Sequence, residues 1–322
     1  MRISVTVSRR NMTQSHKMKK TYHLCLSAGN EIMFRDTEDY NRGFNCFALA
    51  LYHTDSTGLC ESFMSTHTHQ VVQTSTAKGL MAYFRHSYSA YFNHKYKRRG
   101  KLGEREHFCL EIDGYHHLIA AMSYTLRNPV HHGVAPIPYA YPHCSANAIF
   151  RKEMGKFVDD VFLPTRSYSK HIGRRATFPP HYKMNESGLF VRESVLDIPQ
   201  VENLYVTPRT FNYYMSRKSS EEWEAEQTKD QNERPAVNIS AIENGVVTLP
   251  LEKMLYYENG KADYRKISDI ELCTYLDSLA KTVYGRHSVY QLTRHEKENI
   301  AEELYRKHHL SDSQIRRCLA FQ

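Results

Sequence analysis

Between residues 22 and 128 the hydrophobic period switches repeatedly between two and about 3.6, and that alternation leaves few folds open. YHLCLS (22–27) alternates and reads as a strand. Asp36 to Asp39 then open an amphipathic helix through NCFALALYH, placing acidic residues at its positive end. LCESFM (59–64) and HTHQVV (67–72) read as adjacent strands, and AKGLMAYFRHSYSAYFNHKYKRRGK has helical spacing that finishes in a basic cluster near Gly100. HFCLEID (107–113) is a further strand, and YHHLIAAMSYTLRN (115–128) a helix that Pro129 terminates. Strand, helix, two strands, helix, strand, helix predicts an α+β domain: a ferredoxin/RRM-like antiparallel sheet with helices packed on it.

The flanks differ in character. Residues 1–20 read as a flexible basic tail, and 156–290 as an accessory region in which Pro164, Pro179, Pro180, Pro199 and Pro208 interrupt any long period. Within it, 216–235 is polar and charged, an exposed linker or solvated helix. Thr293 with Glu296 and Ser311 with Gln314 have capping-box spacing, so 291–322 reads as a helical hairpin, giving the domain a mixed, mainly helical C-terminal extension. The pair resembles the first two helices of a helix-turn-helix, without the recognition helix that would follow, so packing is the simpler role and DNA reading the alternative.

Charge narrows the partners. Residues 1–150 carry seventeen Lys and Arg against ten Asp and Glu, whereas the remainder is close to neutral. A basic half points to a polyanion, with nucleic acid the commonest and an anionic membrane surface the other choice. Seven cysteines without a C-x-x-C pair argue for reduced thiols and against a zinc ribbon. With no signal-peptide or membrane-length apolar run, the expectation is a cytoplasmic protein.

Strand periodicity puts His67, His69 and Val71 on one face, so two imidazoles point the same way from one rigid element, as a metal ion requires. H-x-H alone is weak in a chain with 19 histidines, and a solvated or hydrogen-bonded pair is the plainer reading. Tyr124 and Asn128 lie four apart on one helical face, so a hydroxyl and an amide oxygen could approach one phosphate together. Tyr115, nine residues earlier, lies half a rotation away; packing is the default for most of the 23 tyrosines.

These segments resemble a known family. FMSTHTHQVV is similar to the M-P-N-H-hydrophobic-H segment of HUH single-tyrosine transposases, and YTLRNPVHHGVAPIPYAYPHCSA to their Y-I-x-x-N-P-V-x-x-G segment. SAGNEIMFRD and YFNHKYKRRGKLGERE resemble landmarks of the same family in the same order, and the likeness is nearest to REP-associated tyrosine transposases. It covers about residues 21–155, with Ser65 and Thr66 where the family has Pro-Asn and Thr68 where it has an apolar residue.

The resemblance implies His67 and His69 as ligands of Mg²⁺ or Mn²⁺, Asn128 as the source of a third ligand, and Tyr124 as the nucleophile. Attack on a phosphodiester would leave a 5′-phosphotyrosine and a free 3′-hydroxyl, a reversible link that suits cutting and rejoining single-stranded or hairpin DNA. Lys95, Tyr96, Lys97, Arg98, Arg99 and Lys101 would contact the DNA, Tyr96 by stacking, although cations completing a helix end is an equal reading. A homodimer and a bacterial, nucleoid-associated location also follow by analogy. The rivals are a domesticated DNA-binding regulator that no longer cuts, an HUH replication initiator or relaxase, and a water-using metal phosphoesterase.

Overall fold

The computed structural model describes residues 18–29, 31–103, 106–156, 161–216, 228–229, 257–258, 261–262, 267–308 and 310–321. Most of the 1–20 tail and of the 216–235 linker lies outside them. The first 131 residues hold β1 (Lys20–Ser27), α1 (Thr37–His53), β2 (Thr57–Phe63), β3 (His67–Thr74), α2 (Ala77–Tyr96), β4 (Phe108–Ile112) and α3 (Tyr115–His131). The sheet is antiparallel with order β2-β3-β1-β4, so the α+β, ferredoxin-like expectation holds. β3 and β1 are central and pair over eight residues, from Lys20 opposite Thr74 to Ser27 opposite His67.

Alternation gives the sheet two different faces. Leu24, Leu26 and Phe63 face α1 and α2, where Phe63 lies 5.4 Å from Phe34, 6.3 Å from Phe47 and 6.0 Å from Phe84, ring centre to ring centre. The other face carries the histidines of β1 and β3 and is covered by α3. α1 begins as predicted, with the Asp36 side chain accepting the Asp39 N–H. Gly114, at φ 95°, makes the left-handed turn from β4 into α3 that a side chain would resist. Pro129 does not end α3: the helix runs to His131, because the proline sits in the final turn and forgoes only the bond its N–H would have made to Thr125.

The free edge of β2 is covered by chain from beyond α3. The Phe63 N–H donates to His143 O (2.9 Å), Ser62 bridges Cys144, and the Asp197 N–H donates to Gly58 O (2.9 Å). A helix at Ile198–Tyr205 and another at Pro208–Ser216 then pack behind α3.

The C-terminal helices, Asp269–Thr282, Arg294–His308 and Asp312–Cys318, form a core of their own around Leu272, Leu276, Ile300, Leu304, Ile315 and Leu319. Both predicted caps form: the Glu296 N–H reaches Thr293 Oγ1 (3.2 Å) and the Gln314 N–H reaches Ser311 Oγ (3.3 Å). The Gln314 side chain turns inward to Asp269 instead of completing the box. The last helix buries Gln314, Ile315, Arg317 and Cys318, so the packing role of the hairpin is the one its structure displays.

This unit is bolted to the sheet domain by buried charge. Asp269 accepts Arg317 Nε and Nη2 (both 2.8 Å), Gln314 Nε2 (3.1 Å) and Ser65 Oγ (2.8 Å), and Ser65 belongs to the turn that leads into His67. Arg35, fully buried, donates to Asp277 Oδ2 (2.7 Å) and Cys318 O (2.9 Å). Breaking such a pair from one side strands the other charge in a dry interior. Asp269→Ala is therefore expected to lower the unfolding free energy by about 3–5 kcal/mol in urea denaturation. Removing the exposed Arg316–Asp312 pair should change it little.

Candidate functional site

β3 presents His67 and His69 on the α3 face, and α3 brings Tyr124 and Asn128 down onto them. His67 Nε2 lies 3.2 Å from Asn128 Oδ1, and its Nδ1 3.1 Å from Thr66 Oγ1. The Tyr124 ring stands edge-on to His69 at 5.4 Å. All four residues expected from the sequence therefore meet, although 57 positions separate His67 from Tyr124. Tyr115 points elsewhere, its hydroxyl donating to Leu204 O (2.8 Å), as half a helical rotation requires.

Three further histidines join the cluster that the H-x-H pattern does not point to. His23 on β1 shares a face with Cys25, whose register partner is His69, and its Nε2 lies 3.1 Å from His69 Nδ1 with the rings stacked at 5.1 Å. Its alternate position in YHLCLS is a signal that becomes legible once β1 is known to pair with β3. His132 lies 4.7 Å from His67 and His131 6.1 Å from Tyr124, ring centre to ring centre. Both follow directly on N-P-V, where the last turn of α3 folds back toward the sheet.

The cluster is enclosed. His67 and His69 are 1% exposed, Tyr124 4% and Asn128 0%. Burial pushes His67 down to about 4 and His23 to about 3, and holds His69 and His132 well below the ordinary histidine value, with neighbouring imidazoles adding to the effect on His69 and His132. At neutral pH these rings are uncharged lone-pair donors, the form a metal ion binds. They are too weakly basic to hold a phenol's proton.

The donor types, two neutral imidazoles and an amide oxygen, suit a small divalent ion. His67 Nε2 and Asn128 Oδ1 are in hydrogen-bond contact at 3.2 Å, sharing a proton that a bound ion would replace. Asn128 Nδ2, by contrast, is buried with no partner. No three His, Cys, Asp or Glu side chains among the described residues converge as a metal cage, so the fit is for two imidazoles and an amide oxygen. With Nδ1 tied to His23, His69 has Nε2 left to offer.

The basic cluster after α2 divides. Lys95 is held by Asp36 (2.8 Å), Glu38 and Asp39 (both 2.9 Å), and Arg98 by a two-pronged contact with Glu31 (2.6 and 2.7 Å). Tyr96 is 5% exposed and its hydroxyl donates to Asp39 (2.8 Å), so in this structure it packs and has no face open to a base. Lys97, Arg99 and Lys101 are exposed.

Fold and site together define an antiparallel α+β domain with a buried imidazole, tyrosine and amide cluster, fused to a helical extension. Among solved structures, that of a REP-associated tyrosine transposase bound to a REP hairpin is similar over 54% of this chain and 99% of that one, at 12% identity and a TM-score of 0.38. No protein-family model matches the chain, and no curated protein matches it. No helix among the described residues is long and apolar enough to cross a membrane.

The buried imidazoles weaken the fold in acid, and Asp39 and Glu61, whose carboxyls burial pushes up, offset only part of this. Each imidazole is kept from protonating in the fold but titrates near 6.5 once unfolded, so the unfolded chain binds more protons as the pH falls below that value. Stability is complete above about 6.5 and is lost as pH drops toward the folded values, at up to about 1.4 kcal/mol per pH unit for each imidazole. Urea denaturation at pH 7 and pH 5 should show a loss of several kcal/mol, diminished in His143→Asn, whose ring burial holds at about 3. Equal stability at the two pH values would contradict this.

Proposed function

We propose that this chain is a metal-dependent DNA strand-transfer enzyme that cuts and rejoins one strand through Tyr124, acting on single-stranded or hairpin DNA. The observation that carries the reading is the convergence of His67 with Asn128 and of His69 with Tyr124 across the sheet and α3. The transposase-like segments noted in the sequence put the same four residues in the same roles.

In this reading Tyr124 Oη forms a bond to the phosphorus as the 3′ oxygen departs, taking up a proton, and the phosphotyrosine keeps the bond energy for the reverse step. A divalent ion held by His67, His69 and Asn128 would withdraw charge from the phosphate and ease the approach of the phenol. His23 fixes the ring of His69 through the bond to Nδ1, and Thr66 does the same for His67. Lys97, Arg99 and Lys101 supply cations to the strand.

Enclosure favours a second reading, a DNA-binding protein that retains the scaffold and does not cut. With Tyr124 4% exposed and enclosed by His23, His69 and His131, a strand reaches it only after a local opening. The two readings part in one experiment: the protein is incubated with labelled hairpin DNA and Mn²⁺, then resolved on a denaturing gel. Strand transfer predicts a covalent adduct that Tyr124→Phe abolishes, that chelation prevents, and that His67→Ala reduces by roughly 100-fold or more. A regulator predicts binding with no adduct, and an adduct persisting in Tyr124→Phe would remove the nucleophile assignment.

A further inference from the structure

The end of α2 and the two C-terminal helices form a groove of about 660 Å³ that shares Lys97 and Arg99 with the strand contacts proposed above and no residue with the buried cluster of imidazoles, Tyr124 and Asn128. Six cations line it: Lys97, Arg98 and Arg99 after α2, Arg294 and Lys297 on the Arg294–His308 helix, and Arg316 on the last helix. The lining carboxylates are Glu298 and Asp312, each paired one helical turn away with Arg294 (2.9 Å) or Arg316 (2.7 Å) in exposed contacts that an incoming anion can share. Lys97, Arg99 and Lys297 have no carboxylate partner among the described residues.

The walls are fixed. Ser288 Oγ donates to Tyr96 O (2.6 Å) and His287 Nε2 lies 2.8 Å from Lys95 O, which ties the C-terminal unit to the end of α2. Lys97 takes a left-handed conformation (φ 54°) that ends the helix and turns the cationic segment across the opening. Two aromatic rings share the lining. Phe321 lies under both Lys297 (5.8 Å) and Arg316 (5.7 Å), and Tyr290 lies under Arg98 (5.8 Å) with its hydroxyl buried and without a partner. Lys297 Nζ donates to Ala320 O (2.8 Å), and burial with the nearby Arg35 charge, opposed by Glu31, holds its ammonium below the ordinary value.

We infer that this groove holds a single-stranded stretch of nucleic acid, its phosphates against Lys97, Arg99, Arg294 and Lys297 and a base on the Phe321 ring. Cations spread over three elements suit a chain of phosphates better than one small anion, and an aromatic face flanked by cations suits a base better than an acidic side chain. The C-terminal hairpin then serves as one wall of a strand channel, and no recognition helix is required of it. DNA is the probe because of the function proposed above; the groove itself is independent of whether Tyr124 cuts.

The test is fluorescence anisotropy of the intact chain with a single-stranded oligonucleotide of about 20 nucleotides across a salt series, with chelator present so that no cutting contributes. The Arg99→Glu/Arg294→Glu variant should bind at least about tenfold more weakly, with the log-log salt slope reduced by about 0.7 for each phosphate that is no longer neutralised. Phe321→Ala should weaken binding roughly tenfold and leave the slope unchanged. Lys152→Glu/Lys183→Glu, an equal charge change at a different cavity, should have little effect. Wild-type binding by Arg99→Glu/Arg294→Glu, or by Arg99→Gln/Arg294→Gln if the first misfolds, would overturn the inference. So would an equal loss in the control pair, equal affinity for a duplex of the same length, or equal displacement by polyglutamate. Because no adduct is read, failure of the cutting chemistry leaves these outcomes unchanged.

Discussion

The pairing of β3 with β1 over eight residues is the constraint on which the rest depends. Because side chains alternate with a period of two, that register alone decides that His67, His69 and His23 share a face and that Leu24 and Leu26 take the other. A slip of β3 by one residue would drive His67 and His69 into the aromatic cluster around Phe63, and a slip of β1 would drive His23 there and turn Leu24 and Leu26 toward α3. The register is secured at the strand's beginning, where Ser65 O accepts the N–H groups of Met33 and Phe34, Thr66 O accepts that of Ala28, and Ser65 Oγ donates to Asp269. Ser65 in this turn thus supplies a hydroxyl that reaches the C-terminal unit, 204 residues away.

β3 and its neighbours also concentrate polar atoms that the fold leaves without partners. Thr68 Oγ1 and both polar atoms of the Gln70 side chain are buried and unpaired behind the strand, as are His23 Nδ1 and Asn128 Nδ2 in front of it. An apolar strand would avoid the cost, about 1–3 kcal/mol for each such group. Three of these five atoms, Thr68 Oγ1 and the two of Gln70, lie on the strand that carries His67 and His69, where the cost is concentrated.

Elements, caps and two separate pairs were legible from local spacing: period two for His67 and His69, one helical turn for Tyr124 and Asn128, three residues for the caps. That the two pairs belong together came from the resemblance of their segments to one family, not from spacing. His23 and His132 were not legible, since their role follows from strand pairing and from how the chain leaves α3. The basic cluster shows the same limit from the other side. Composition marks Lys95, Tyr96 and Arg98 as available cations and a stacking ring, yet Asp36, Asp39 and Glu31, about 60 residues earlier, occupy all three. What remained exposed, Lys97 and Arg99, gains its setting from helices some 200 residues later.

Access to the cluster is a question of which end of α3 can yield. The middle of the helix is held from both sides: Ser123 Oγ lies 2.8 Å from Tyr205 Oη behind it, and Tyr124 faces the imidazoles in front. Its start is tied by Tyr115 to Leu204. The C-terminal end is different, for Pro129 has removed a helical bond and Gly133, at φ 65°, turns the chain away immediately after His132. β4, beside His23, is an edge strand in which Ile112 alone is buried and Cys109 is exposed. Unwinding the last turn of α3 would release Asn128, His131 and His132 from His67 and Tyr124, so opening the cluster from that end requires far less disruption than lifting the helix whole.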